Sequence, residues 1–120
     1  MNVARGDVVL LDFPFSDGRR SKVRPALVVQ NERDNRRLAS SIVVMITSHT
    51  GRATTEVTQV LVDVATPEGT QTGLLVDSAV NCVNVFTVDK RRLVRVIGAF
   101  PASLMLRVDL NSRARISNIK

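Results

Sequence analysis

The chain has no tryptophan, no tyrosine and only four phenylalanines. It therefore has little with which to build an aromatic platform for stacked nucleobases. Its single cysteine, Cys82, cannot form an internal disulfide, which fits a reducing compartment. One histidine and one cysteine cannot assemble a His/Cys zinc site. There is no Walker loop, no G-x-G-x-x-G and no H-E-x-x-H, and no expected strand or helix carries a carboxylate pair at the spacing a metal needs. Nucleotide-phosphate cradling and metal-dependent phosphodiester chemistry thus lack support, and neither a metal nor a cofactor is expected. No apolar run approaches the roughly 20 residues of a bilayer span. The opening residues, Met1-Asn2-Val3-Ala4-Arg5-Gly6-Asp7, do not read as a signal peptide. A cytoplasmic protein with no membrane partner is the expectation.

What is abundant is arginine. Of 17 basic residues fourteen are arginine, against 11 acidic ones, for a net charge of +6. Guanidinium forks suit phosphate and carboxylate groups. Four cations, Arg19, Arg20, Lys22 and Arg24, fall within one short stretch, and Pro25-Ala26-Leu27-Val28-Val29 follows without a spacer. Clustering of this kind points to a polyanionic partner, either nucleic acid or an acidic protein. Arg33, Arg36 and Arg37 read as a solvated surface, and Lys90, Arg91 and Arg92 as a charged turn. With 120 residues, 44% hydrophobic and 23% charged, the chain fits one folded domain over 1–120.

Short β-branched runs predict strands over Val8–Phe13, Pro25–Gln30, Ile42–Thr47, Val57–Val64, Leu74–Val88 (interrupted near Asp77-Ser78) and Leu93–Ile97. Phe15–Val23 reads as a loop and Asn31–Ser41 as a loop or short helical turn. Pro67, Gly69 and Gly73 require a turn over Ala65–Gly73. Pro101 suits a helix's first turn, and Leu104, Met105 and Val108 recur at helical spacing, so a helix should end near Asn111 or Ser112. The pattern is mainly β with one late helix: a small, strongly bent sheet or partly open barrel.

Period two places Thr47 and His49 on one face at the end of the third strand, and sets Ser48 on the other. A Ser48–His49 nucleophile–base pair is thus geometrically disfavoured. Arg24 stands before Pro25, which biases it towards extended backbone. If the second and third strands are antiparallel neighbours, Arg24, Thr47 and His49 converge beside the cationic loop, an arrangement suited to a phosphodiester. Each residue also has an ordinary reading: a surface cation, a β-former at a strand end, a surface histidine. Cys82 reads as a small core residue.

Arg5-Gly6-Asp7-Val8-Val9, then Lys22-Val23-Arg24-Pro25-Ala26-Leu27-Val28-Val29, Ile46-Thr47-Ser48, Thr72-Gly73-Leu74, Asp77-Ser78 and Thr87-Val88-Asp89-Lys90-Arg91-Arg92-Leu93 together resemble the MazF/PemK family of bacterial toxin endoribonucleases. The resemblance implies an SH3-like, partly open β-barrel of five to seven short strands with a C-terminal helix, and a homodimer. It implies metal-independent cleavage of single-stranded RNA (mRNA) by attack of the ribose 2′-OH, leaving a 2′,3′-cyclic phosphate and a 5′-OH. The family's arginine and threonine fall on Arg24 and Thr47, and its partner is a small acidic antitoxin. Arg19, Arg20, Lys22, Ser48 and Asn84 are the expected contacts to RNA or antitoxin. His49 is a separate candidate for acid–base work, because an imidazole titrates near neutrality. The chain departs from the family where many members have a Gly-x-Glu-x-Gly loop and here Asp17-Gly18-Arg19-Arg20-Ser21-Lys22 stands. It also departs where one branch carries a carboxylate, Gln and Arg, and here Val83-Asn84-Val85-Phe86 stands. Two alternatives belong to other classes: a non-catalytic toxin of the same fold that poisons DNA gyrase, and a silent member that only binds RNA or antitoxin.

Overall fold

In the computed structural model, residues 1–14, 21–50 and 59–119 are described. The elements run β1 (Asp7–Pro14), β2 (Ser21–Val28), α1 (Glu32–Arg37), β3 (Ser40–Thr47), β4 (Gln59–Val62), α2 (Pro67–Thr70), β5 (Ser78–Asp89), β6 (Leu93–Ala99) and α3 (Ala102–Ile119), with a 3-10 turn at Lys90–Arg92 before β6. The strands form one antiparallel sheet in the order β4-β5-β3-β2-β1-β6. The sheet is mainly β with a C-terminal helix and is not closed, as the sequence led us to expect.

Alternation along the strands divides the core between the two faces. Val8, Leu27, Val44 and Val80 pack with Leu104, Met105 and Val108 of α3. Val9, Leu11, Ala26, Val28, Val43 and Leu93 form the second cluster. Leu104 and Val108 are almost fully buried, and burial of each such side chain contributes about 1.5–3 kcal/mol. Cys82 lies in the first cluster, as a core residue should. The α3 helix also shields the edge strand: Arg107 Nη2 and Asn111 Nδ2 donate to the carbonyls of Leu61 and Gln59. Covering a strand edge this way blocks edge-to-edge pairing.

α1 is held by a buried polar knot. Asn31 caps it, its Oδ1 accepting from Asp34 N at 2.9 Å. Asn35 is buried, accepts from Gln30 Nε2 and Ser41 Oγ (3.0 and 2.8 Å) and donates to the Gln30 carbonyl at 2.9 Å. Lys90 Nζ donates to the Asn35 carbonyl. Arg33, Arg36 and Arg37 are exposed on its outer side.

Three sequence expectations are corrected. β2 begins at Ser21, inside the stretch read as loop, so Arg24 and Pro25 lie within the strand. Proline is tolerated there because β3 pairs with β2 only over Ala26–Val28, leaving that side of the strand open at Pro25. Leu74–Asp77 is apolar enough to suggest strand but stands outside the sheet, since Gly73 turns the chain at φ +74°. α3 continues to Ile119 rather than stopping near Asn111. Of the strand expected over Val57–Val64, residues 57 and 58 lie outside the described residues, and the observed strand covers Gln59–Val62.

Candidate RNA-cleavage groove

β2 and β3 are paired at Ala26↔Met45, Leu27↔Val44 and Val28↔Val43 and then part. The same register carried two residues further sets Arg24 level with Thr47, and cross-strand partners share a face. The parting opens a groove of about 630 Å³. Lys22, Arg24 and Pro25 of β2 line one side, and Ile46, Thr47 and Ser48 line the end of β3. The Gly73–Val76 segment and Arg95–Ile97 of β6 complete the wall.

The described residues lining this groove include no carboxylate, imidazole or thiol. Its chemistry must come from cations and hydroxyls. Lys22, Arg24 and Arg95 all line it, and none has an ion-pair partner among the described residues. Some arginines elsewhere are committed, while Arg33, Arg36 and Arg92 also make no ion pair among the described residues. Arg5 pairs with Asp109 at 2.5 Å and donates to the Val29 carbonyl, tying the N-terminus to α3. Arg91 pairs with Asp89 at 2.9 Å. The Arg91 side chain, followed by its backbone N–H, holds the Asp89 carboxyl down at about 2.

Thr47 Oγ1 accepts the backbone N–H of His49 at 3.1 Å. That bond uses one of the oxygen's two acceptor positions, and the hydroxyl proton has no acceptor among the described residues. It also marks the end of β3: the chain turns at Ser48, so the alternation predicted to put His49 beside Thr47 does not extend that far. His49 is exposed and outside the groove lining, whereas Ser48 is within it. Asn84 is exposed on β5, beside the irregularity where Val44 and Ile46 of β3 pair with Val85 and Val80, and is not part of the groove. Arg19 and Arg20 lie outside the described residues. The structure thus brings Lys22, Arg24, Thr47 and Ser48 together and leaves His49 and Asn84 apart.

Sequence reasoning missed Arg95. Its signal was a single arginine inside the apolar run Leu93–Ala99. It also missed the glycine joint behind the wall. A Cβ on Gly73 would stand 2.0 Å from the Ile97 carbonyl oxygen, and one on Gly98 would stand 2.4 Å from the Thr72 carbonyl. Only glycine lets the two backbones approach so closely.

A family model described as "PemK-like, MazF-like toxin of type II toxin-antitoxin system" matches residues 4–114. The chain belongs to this family. Among curated relatives of this PemK/MazF-like chain, endoribonuclease MazF6 of Mycobacterium tuberculosis is 36% identical over 115 residues, covering 94% of this chain and 96% of its own length. Endoribonuclease EndoA of Bacillus subtilis is 34% identical over 110 residues, covering 91% and 90%. Two solved structures share the fold. A mycobacterial endoribonuclease in complex with its cognate antitoxin superposes with a TM-score of 0.77 at 22% identity, covering 96% of this chain and 95% of that one. MazE–MazF from Deinococcus radiodurans gives 0.76 at 19%, covering 98% of each.

Proposed function

We propose that this PemK/MazF-like chain, acting as one domain over 1–120, is the toxin of a toxin–antitoxin pair and cuts single-stranded RNA in the groove between β2 and β3. The observation that carries the proposal is the parting of those strands, which leaves Arg24, with no ion-pair partner among the described residues, level with Thr47. The reaction needs no metal. The ribose 2′-oxygen attacks phosphorus, the bond from phosphorus to the 5′-oxygen breaks, and the products are a 2′,3′-cyclic phosphate and a 5′-OH. One proton leaves the 2′-OH and one is gained by the departing 5′-oxygen.

A guanidinium does not surrender its proton in proteins. Arg24 therefore serves the phosphate: it neutralises the charge that builds on the phosphorane oxygens and hydrogen-bonds the leaving 5′-oxygen. Thr47 donates its hydroxyl proton, which has no acceptor among the described residues, to a non-bridging oxygen, while His49 N–H holds its oxygen in place. Lys22 and Ser48 hold neighbouring backbone, and Arg19 and Arg20 are assigned to contact RNA or antitoxin. The PemK-branch carboxylate has no counterpart at Val83, so the proton acceptor is not a carboxylate there. His49, exposed two residues beyond Thr47 and outside the groove lining, is the candidate left for that role. Asn84 is assigned to RNA or antitoxin contact away from the groove.

The fold relatives solved together with an antitoxin support a second binding state for the same groove. A small acidic antitoxin would place its carboxylates on Lys22, Arg24 and Arg95. The working species is a homodimer in the cytoplasm; no described helix is long and apolar enough to cross a membrane. Arg24→Ala and Thr47→Ala test the scheme by steady-state cleavage of a defined RNA. A fall in kcat of about 10²–10³ is expected for Arg24→Ala. Wild-type kcat in that variant would end the proposal.

A further inference from the structure

One stretch of the groove lining is apolar and held firmly. Leu75 is 94% exposed and Val76 57%, and both line the groove. Exposed aliphatic groups on a loop tip would be unremarkable if the loop were slack. Here both ends are pinned. On one side Thr72, fully buried, donates to the Gly69 carbonyl at 2.6 Å and accepts Leu74 N–H at 3.3 Å, while Gly73 sits against Ile97. On the other, Ser78 Oγ donates to the Val76 carbonyl at 2.9 Å, and Asp77 Oδ1 accepts Val64 N–H at 3.0 Å. The segment therefore displays two apolar side chains at the groove at little further entropic cost on binding.

Arg95 lines the same groove, exposed and without an ion-pair partner among the described residues. None of the described lining residues is aromatic. A base that leaves its stack in this groove must find its apolar contact on aliphatic groups. Leu75 and Val76 offer the most exposed pair, beside a cation that can hold the phosphate of the same nucleotide.

We propose that Leu75, Val76 and Arg95 form a nucleotide subsite next to the scissile phosphate: the base lies on Leu75 and Val76, and Arg95 binds the backbone phosphate. The inference rests on the RNA-cleavage reading. The apolar pair sets which base is accepted at one position flanking the cut, and Arg95 adds affinity without base preference.

The test digests one long RNA with wild-type protein, Leu75→Ser/Val76→Ser and Arg95→Ala, mapping the 5′-OH ends and measuring KM and kcat across a salt series. Because Leu75 and Val76 are exposed, their serine variants retain the fold. The double variant should raise KM roughly tenfold, the loss of one apolar side-chain contact, and relax base preference at one flanking position. Arg95→Ala should raise KM at all sites alike and reduce the slope of log KM against log salt by about 0.7, one phosphate contact on a single strand. In both, kcat should stay close to wild type. Unchanged KM, cleavage pattern and salt slope in both variants would overturn the subsite while leaving the cleavage reading intact. Weaker binding of an acidic antitoxin peptide with unchanged RNA kinetics would assign the wall to the antitoxin and also overturn it. Absence of cleavage by the wild-type protein would remove the underlying reading itself.

Discussion

Gly98→Ala tests how the fold holds the groove wall. The new Cβ would stand 2.4 Å from both the carbon and the oxygen of the Thr72 carbonyl and 2.6 Å from the Gln71 oxygen. All three are backbone atoms, so no side-chain rotation relieves the clash. Restoring ordinary contact requires the Gln71–Thr72 backbone to retreat by about an ångström. That retreat breaks the bond from Ala99 N to the Gln71 carbonyl, now 3.0 Å, at about 1 kcal/mol. Overpacking against fully buried Thr72 adds about 2 kcal/mol. A total near 3 kcal/mol corresponds to a fall in Tm of about 12 °C for a chain of this length. Thermal unfolding followed by circular dichroism reads it. Gly6→Ala is the control: its Cβ would have ordinary room, 3.6 Å from the nearest atom, but φ is +96°, so only backbone strain of about 1–2 kcal/mol applies. A Gly98→Ala protein melting within 2 °C of wild type would refute the close-packed joint.

Other perturbations separate the site from its support. Asn35→Ala removes partners from Ser41 Oγ and the Gln30 carbonyl, both buried with it, and should cost about 3 kcal/mol in urea unfolding. The surviving folded fraction should cleave RNA at the wild-type rate per molecule, since the knot lies outside the groove. His49→Ala should lower kcat for RNA cleavage; a wild-type kcat would leave the 2′-OH proton to solvent. Arg107→Ala leaves Glu68 without its 3.7 Å partner and the Leu61 carbonyl uncapped. Both contacts are exposed, so less than about 1 kcal/mol should be lost, as denaturant midpoints would show.

Most of the sheet was legible because β-branched runs and alternation report burial directly. What failed were places where one neighbour overrides the local pattern. Pro25 suggested a strand beginning there, but the open β3 side let β2 run back to Ser21. Leu74-Leu75-Val76 looked like strand, yet Gly73 at positive φ and the Asp77 bond to Val64 N turn it out of the sheet. Arg24 and Thr47 were legible through strand order and register together. His49 was misplaced on the assumed face because alternation lapses once β3 ends at Thr47. Arg95 was missed because its meaning comes from a groove lining shared with Leu75 and Val76, which are distant from it in sequence.

The central claim is metal-independent attack by the 2′-OH under Arg24. Incubating purified wild-type protein with a long RNA in excess EDTA, then analysing the fragment ends, tests it most directly. The account predicts discrete fragments bearing 2′,3′-cyclic phosphates and 5′-OH groups, and near-silence from Arg24→Ala. Intact RNA, whether or not the protein then binds gyrase or antitoxin, would contradict it.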